Sequence, residues 1–304
     1  MTVTTAEKNA LTDYESVRHR LPAGRPLETP IYKRSQSLAD IASPFTVIFL
    51  DAYGVINIGD DLIPGVVEVI SDLRSRDKQV MVISNSAGYP KSTMLQRLAR
   101  QGLELSAEQV VTSREAVLER LKAEPSHKWG LMIQKGADLE DFQSINFGVL
   151  DDDPLVYKTA DAFLLIGSED WSEHRQNLLV EASIDRPRPV LVGNPDLYAP
   201  RNGFFSREPG YYGHDLADKT GVQPVFLGKP FPEIFNLAFE RIAGSPSAQQ
   251  ILMVGDTLHT DILGGQAMGL STALVTEHGG LRGMNVDEAV SRAGVVPDFI
   301  IPRI

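Results

Sequence analysis

The chain contains no cysteine, which excludes disulfides, thiolate metal sites and a cysteine nucleophile together. It has no stretch near the roughly 20 apolar residues of a membrane span, and its opening, MTVTTAEKNALTDYE, lacks the apolar segment of a secretion signal. Positive charge is sparse. Twenty-nine Lys and Arg stand against 40 Asp and Glu, for a formal net charge of -11 with no basic run, a balance that opposes binding to nucleic-acid phosphates. These absences lead to the expectation of a cytoplasmic protein with neither nucleic-acid nor membrane partners. No internal repeat is found.

What is present is an ordinary globular composition, 42% hydrophobic and 23% charged, over 304 residues. That length suits a core plus a second module. Three segments share one form. FTVIFLDAYG carries Asp51 at the point where an apolar run breaks into a glycine turn, QVMVISNSAG carries Ser84 and Asn85, and QILMVGDTLHTD carries Asp256 and Asp261. Each reads as a short buried strand that presents polar groups at its C-terminal end, where open α/β sheets place their ligands.

Strand and helix patterns alternate around these segments, predicting a parallel sheet covered on both faces. Pro64 and Gly65 introduce a helix with Val66, Val67, Ile70 and Leu73 on one face. Another helix covers 91–100, with Met94, Leu95, Leu98 and Ala99 turned inward and Gly102 ending it. A second alternation, GLMIQ, DAFLLIG and PVLVG, lies between the Ser84 and Asp256 strands and reads as an insertion. The fold expected is a Rossmann-like parallel-sheet core with an inserted α/β cap. Its divisions are an N-terminal extension at 1–40, core at 41–103 and 223–304, and cap at 104–222. The segment 195–221, rich in Gly, Pro and Tyr, reads as irregular loop facing a substrate. The first forty residues show amphipathic helical character and no recognisable chemistry.

Taken in order, DAYGV, SNS, GKP and GDTLHTD resemble the four motifs of the haloacid dehalogenase superfamily. The closer resemblance is to its class with an α/β cap between the second and third motifs, the NagD-like and pyridoxal-phosphatase-like group. GNPD at 193–196 and the run FLGKPFPEIF add to the likeness, which covers roughly residues 45–280. The resemblance implies a phosphatase working through an aspartyl-phosphate, with Asp51 as the nucleophile and Lys229 pairing with nucleophile and phosphoryl oxygens. Ser84 and the amide of Asn85 would donate to those oxygens. Mg2+ would be held by Asp51, Asp256 and the carbonyl of Tyr53, with Asp261 orienting the metal shell through its waters. Such chemistry needs a nucleophile, a cation against the non-bridging oxygens and donors that hold them in line. Asn194 and Asp196 are expected near the cap entrance as specificity residues. The substrate implied is a small phosphorylated metabolite such as a sugar phosphate or pyridoxal phosphate, and the resemblance also implies pairing of two chains through their caps.

One position departs from the pattern. Family phosphatases carry a second aspartate two residues after the nucleophile, where this chain has Tyr53. A phenol can give a proton near neutral pH but rarely takes one, so it is a poor general base. This keeps two alternatives in view: a slow or inactive phosphate-ligand-binding regulator, and a dehalogenase, whose nucleophile motif DAYG also resembles. Dehalogenation needs no metal, and GDTLHTD argues for a cation. Elsewhere, Asp151, Asp152 and Asp153 read as a solvated turn rather than a metal site. His214, His259 and His278 have no ligand-like spacing, and Tyr211 and Tyr212 suit loop packing as well as a specificity surface.

Overall fold

Alternate residues of each central strand go to opposite faces of a seven-stranded, all-parallel sheet in the computed structural model, which describes residues 5–26, 32–124, 126–200 and 205–304. Ile48, Leu50, Val80 and Val82 pack with Ile70, Leu73 and Leu98 on one side. Val47, Phe49, Met81 and Ile83 pack with Ile234 and Phe235 on the other. Both faces are covered, which is why the strands read as unbroken apolar runs instead of alternating ones. The strand order across the sheet is Lys33–Arg34, Phe299–Ile301, Ser271–Val275, Ile251–Gly255, Val47–Leu50, Gln79–Ser84 and Val110–Thr112. The Asp51 strand is therefore central, flanked by the strands that end at Asp256 and at Ser84.

A second all-parallel sheet has the order Val225–Phe226, Val190–Val192, Ala162–Leu165, Trp129–Met132 and Phe147–Val149. It alternates in the same way, with Leu131, Ile133, Leu164 and Leu191 toward one cluster and Met132, Phe163, Leu165 and Val192 toward another. Both sheets, with their helices, make the chain an α/β protein with a Rossmann-like core.

The divisions expected from sequence shift at each boundary. Val110–Thr112, expected in the cap, pairs with Gln79–Ser84 in the larger sheet. Val225–Phe226, expected in the core, pairs with Val190–Val192 in the smaller one, and Lys33–Arg34, expected in the extension, forms an edge of the larger sheet beside Phe299–Ile301. Strands of two or three residues carry too little periodicity to be placed except by their pairing partner. The segment expected to be irregular also differs. It holds a hairpin, Tyr198–Pro200 with Phe205–Arg207, and a helix over Pro209–Thr220. Here Pro209 starts the helix and Gly221, at φ 74°, ends it. Both residues punctuate a helix rather than prevent one.

Candidate active site

Asp51 follows directly on Leu50, where the central strand ends. The backbone turns at once. Ile56 N donates to Ala52 O at 2.8 Å, Gly54 N to Asn57 O at 2.8 Å, and Tyr53 forms a bridge with Asn57. Gly54 sits at φ +76°, and a Cβ there would come within 2.6 Å of Asp256 Oδ2. Glycine thus serves both the left-handed turn and the close approach of the two motifs.

Lys229 lies between two carboxylates, its Nζ 2.6 Å from Asp51 Oδ1 and 2.7 Å from Asp261 Oδ1. It is 1% exposed. Ala52 N also donates to Asp51 Oδ1, at 2.7 Å, and among the described residues no such bond falls on Oδ2. Asp256 accepts from Gly280 N at 2.7 Å on Oδ2 and from Thr257 Oγ1 at 3.2 Å on Oδ1. Leu258–Ile262 forms a π turn, a form frequent at functional sites. Through it the Asp261 carboxylate folds back to accept from Thr257 N at 3.1 Å.

The Ser84 strand joins through Asn85, whose side chain brackets Lys229. Its Oδ1 accepts from Lys229 N at 2.7 Å, while its Nδ2 donates to Lys229 O at 3.0 Å and to Asp196 Oδ1 at 2.8 Å. Ser84 is buried beside it and accepts from Ser86 N at 3.3 Å. The structure thus brings Asp51, Asn85, Asp196, Lys229 and Asp261 into one linked group with Asp256 alongside. Tyr53 stands half-buried in the turn after Asp51. Asp196, expected at the cap entrance, instead bonds into the Lys229 bracket. Asn194 is spent locally, accepting from Asp196 N at 3.0 Å and donating to Glu208 Oε2 at 3.2 Å.

Crowding governs the charges. Burial, reinforced by Asp261 and opposed by Lys229, pushes Asp51 up to about 7. Burial also raises Asp256 well above the usual carboxylate range, with Asp261 and Asp51 adding to it. Asp196 is raised to about 7 by burial against the pull of Lys229 and its Asn85 bond. Burial works against the Lys229 ammonium, but Asp261 and Asp51 outweigh it and hold the proton above the usual lysine range. Oxygens of Asp51, Asp256 and Asp261 lie within 4.8 Å of one another. Three close carboxylates facing one lysine form a hard-oxygen donor set with surplus negative charge, and this fits a divalent cation such as Mg2+. Asp51 and Asp256 would hold it.

Two parts of the site were not anticipated. Gly279 and Gly280 wrap Asp256, and at Gly279, φ +80°, a Cβ would meet Asp256 Oδ2 at 1.8 Å; the paired glycines after the Ser271–Val275 strand were the available signal. His259 is the other. It is buried, stacked on Tyr14 and 2.6 Å from Glu15 Oε1 through Nε2. Its partners come from the N-terminal segment, and no local pattern announces them.

The model of haloacid dehalogenase-like hydrolases matches residues 48–148, and a second, HAD-hydrolase-like model matches 226–304. The chain belongs to the haloacid dehalogenase-like hydrolases. It is 25% identical over 255 residues to an acid sugar phosphatase of Staphylococcus saprophyticus, covering 84% of this chain and 93% of that one. Over 286 residues it is 27% identical to mouse (Mus musculus) chronophin, covering 89% and 94%. The p-nitrophenyl phosphatase of Archaeoglobus fulgidus has the same fold, with a TM-score of 0.72 at 23% identity over 85% of this chain and 96% of that one.

Proposed function

We propose that this chain is a Mg2+-dependent phosphatase that hydrolyses a small phosphorylated metabolite through an aspartyl-phosphate on Asp51. The observation that carries this reading is the ion pair of Asp51 with Lys229 at the end of the central strand, beside Asp256. Both bonds to Asp51 fall on Oδ1, which leaves Oδ2 as the attacking oxygen. The named activity of the acid sugar phosphatase relative supports the substrate class.

In the first step Asp51 Oδ2 bonds to phosphorus as the bond to the ester oxygen breaks, and the departing oxygen takes the phenol proton of Tyr53. Lys229 holds the carboxylate in line and, with Ser84 and the Asn85 amide, offers donors to the phosphoryl oxygens. A bound Mg2+ would neutralise non-bridging oxygens and the surplus carboxylate charge. In the second step water attacks phosphorus, the bond to Asp51 breaks, and phosphate leaves carrying the water's oxygen and protons. Between the steps a phenolate regains its proton from solvent, so Tyr53 serves phosphoryl transfer better than hydrolysis of the intermediate. No described helix is long and apolar enough to cross a membrane.

The test is phosphate release with Mg2+ across acetyl phosphate and sugar phosphates. Asp51→Asn keeps the shape and should lose roughly 10,000-fold or more in turnover, and acid quench should trap phosphoprotein on the wild type alone. Tyr53→Asp should speed steady-state release by roughly 100- to 10,000-fold. Turnover near wild type in Asp51→Asn would place the nucleophile elsewhere.

A further inference from the structure

Residues 10–20 precede both stretches matched by the family models, yet Leu11 and Tyr14 line a cavity together with Asp256. Tyr14 is 7% exposed, and its ring stacks on the His259 imidazole with centroids 4.9 Å apart and planes 7° from parallel. Its hydroxyl accepts from Leu197 N at 3.1 Å, one residue past Asp196. Neighbouring side chains pin the segment from both sides. Glu15 meets His259, Asp13 accepts from the Tyr198 hydroxyl, and Arg20 pairs with Asp218 on the Pro209–Thr220 helix.

A cavity of ≈ 50 Å³ reaches Asp256, and its walls include Leu11 and Tyr14 from this segment, Tyr198 and Phe205 from the hairpin, and Leu281. That volume is small. An apolar cavity of roughly 150 Å³ takes one benzene ring, and a water occupies about 30 Å³ of liquid. A six-membered ring exceeds this space, and the Tyr14 wall is held by its face at His259 and by its hydroxyl at Leu197.

We propose that Tyr14 is a specificity-determining residue that limits the leaving group to compact, two- or three-carbon or acyl fragments, and that the N-terminal segment serves the site as its size gate. This rests on the phosphatase reading above and narrows its substrate class: hexose, nucleoside and pyridoxal phosphates fall outside it.

The experiment compares kcat/KM for 1-naphthyl phosphate with that for acetyl phosphate in the full-length protein with Mg2+. Tyr14→Ala should raise the ratio of bulky to compact substrate about tenfold or more, since steric discrimination of this kind runs to one or two powers of ten. The change should appear mainly as a lower KM for the naphthyl ester. Tyr14→Phe keeps the ring and should leave the ratio within about twofold of wild type. Phe205→Ala trims a second lining residue, one that takes no part in the bonds holding Tyr14, and should raise the ratio in the same direction. An unchanged ratio in both alanine variants, with acetyl phosphate still hydrolysed, overturns the size gate and leaves the phosphatase reading standing. No phosphate release from any ester by the wild type overturns both.

Discussion

At the strand ends of the seven-stranded sheet three carboxylates crowd together beside one lysine, whereas two buried ionisable groups beside the five-stranded sheet, Arg188 and His214, stand without a charged partner. Arg188 donates to the carbonyls of Tyr157, Ala160, Ala182 and Arg186 and lies over the Phe163 ring at 4.8 Å. His214 stacks on Phe226 at 4.5 Å with no hydrogen-bond partner among the described residues for either ring nitrogen. Both sheets are parallel and alternate in the same manner, so architecture does not set the difference. A solitary buried cation on carbonyls is a structural device, while like charges held together need a further ion or a reacting group to justify them. The end of this molecule where Asp51, Asp256 and Asp261 meet is the one where electrostatics is left unresolved.

The sharpest contrast comes from removing one cation on each side. Lys229→Met strands Asp51 and Asp261 and should cost about 3–5 kcal/mol at pH 8. The loss should shrink at pH 5, where Asp51, raised to about 7, is protonated. Arg188→Met leaves carbonyls unpaired and should cost about 1–3 kcal/mol with no comparable dependence on pH. Urea unfolding of both variants at the two pH values measures this, and equal pH responses would remove the distinction between the sheets.

The same contrast bears on what the sequence disclosed. Asp51, Ser84, Asn85 and Asp256 were legible because each ends a long apolar run, and a run of four to six residues buried on both faces leaves a mark that survives without neighbours. The helix over Val66–Ser75 was legible too, with Val66, Ile70 and Leu73 buried as its period requires and Val67 at the margin. Ala99, expected inward, is exposed at the end of the helix over Lys91–Arg100. Val110–Thr112 and Val225–Phe226 were assigned to the wrong sheets because pairing, not composition, gives a strand of two or three residues its place. Tyr14 and His259 lie 245 positions apart. Nothing in either local stretch encodes their stacking, and amphipathic character in the first forty residues gave a helix without its destination. The acidic triplet was simpler: Asp153 caps the helix over Pro154–Thr159 and Asp152 pairs with Arg175, as a solvated turn would.

Cation binding should relieve one sheet and leave the other untouched. Mg2+ at about 100 times its dissociation constant should stabilise the wild type by about 2.7 kcal/mol, and Asp256→Asn should remove most of that gain. Thermal unfolding with and without Mg2+ checks it, with His214→Phe as the companion in which the full gain persists. A Mg2+ gain equal in wild type and Asp256→Asn would place the cation away from these carboxylates.

The smallest effect opposes the two regions in sign. Burial pushes His214 down to about 4, with Arg20 adding to the cost of protonation. Its ordinary value is near 6.5, so the unfolded chain takes up the proton first, and the stability conferred by a neutral, buried imidazole is present above pH 6.5 and lost as pH falls through 4. The loss between pH 7 and pH 5 is about 2 kcal/mol. Asp196 runs the other way. Its folded value of about 7 exceeds the ordinary carboxylate value, so the folded state holds the proton longer and stability is lost as pH rises from about 4 through 7. Urea unfolding from pH 5 to pH 8, read as differences from wild type, separates the two. His214→Phe should gain on wild type as the solution is made acidic, and Asp196→Asn, which keeps an acceptor for Asn85, should gain as it is made alkaline. If both variants track the wild type across that range, neither group is held away from its ordinary titration by the fold, and the two sheets do not differ in how they carry buried charge.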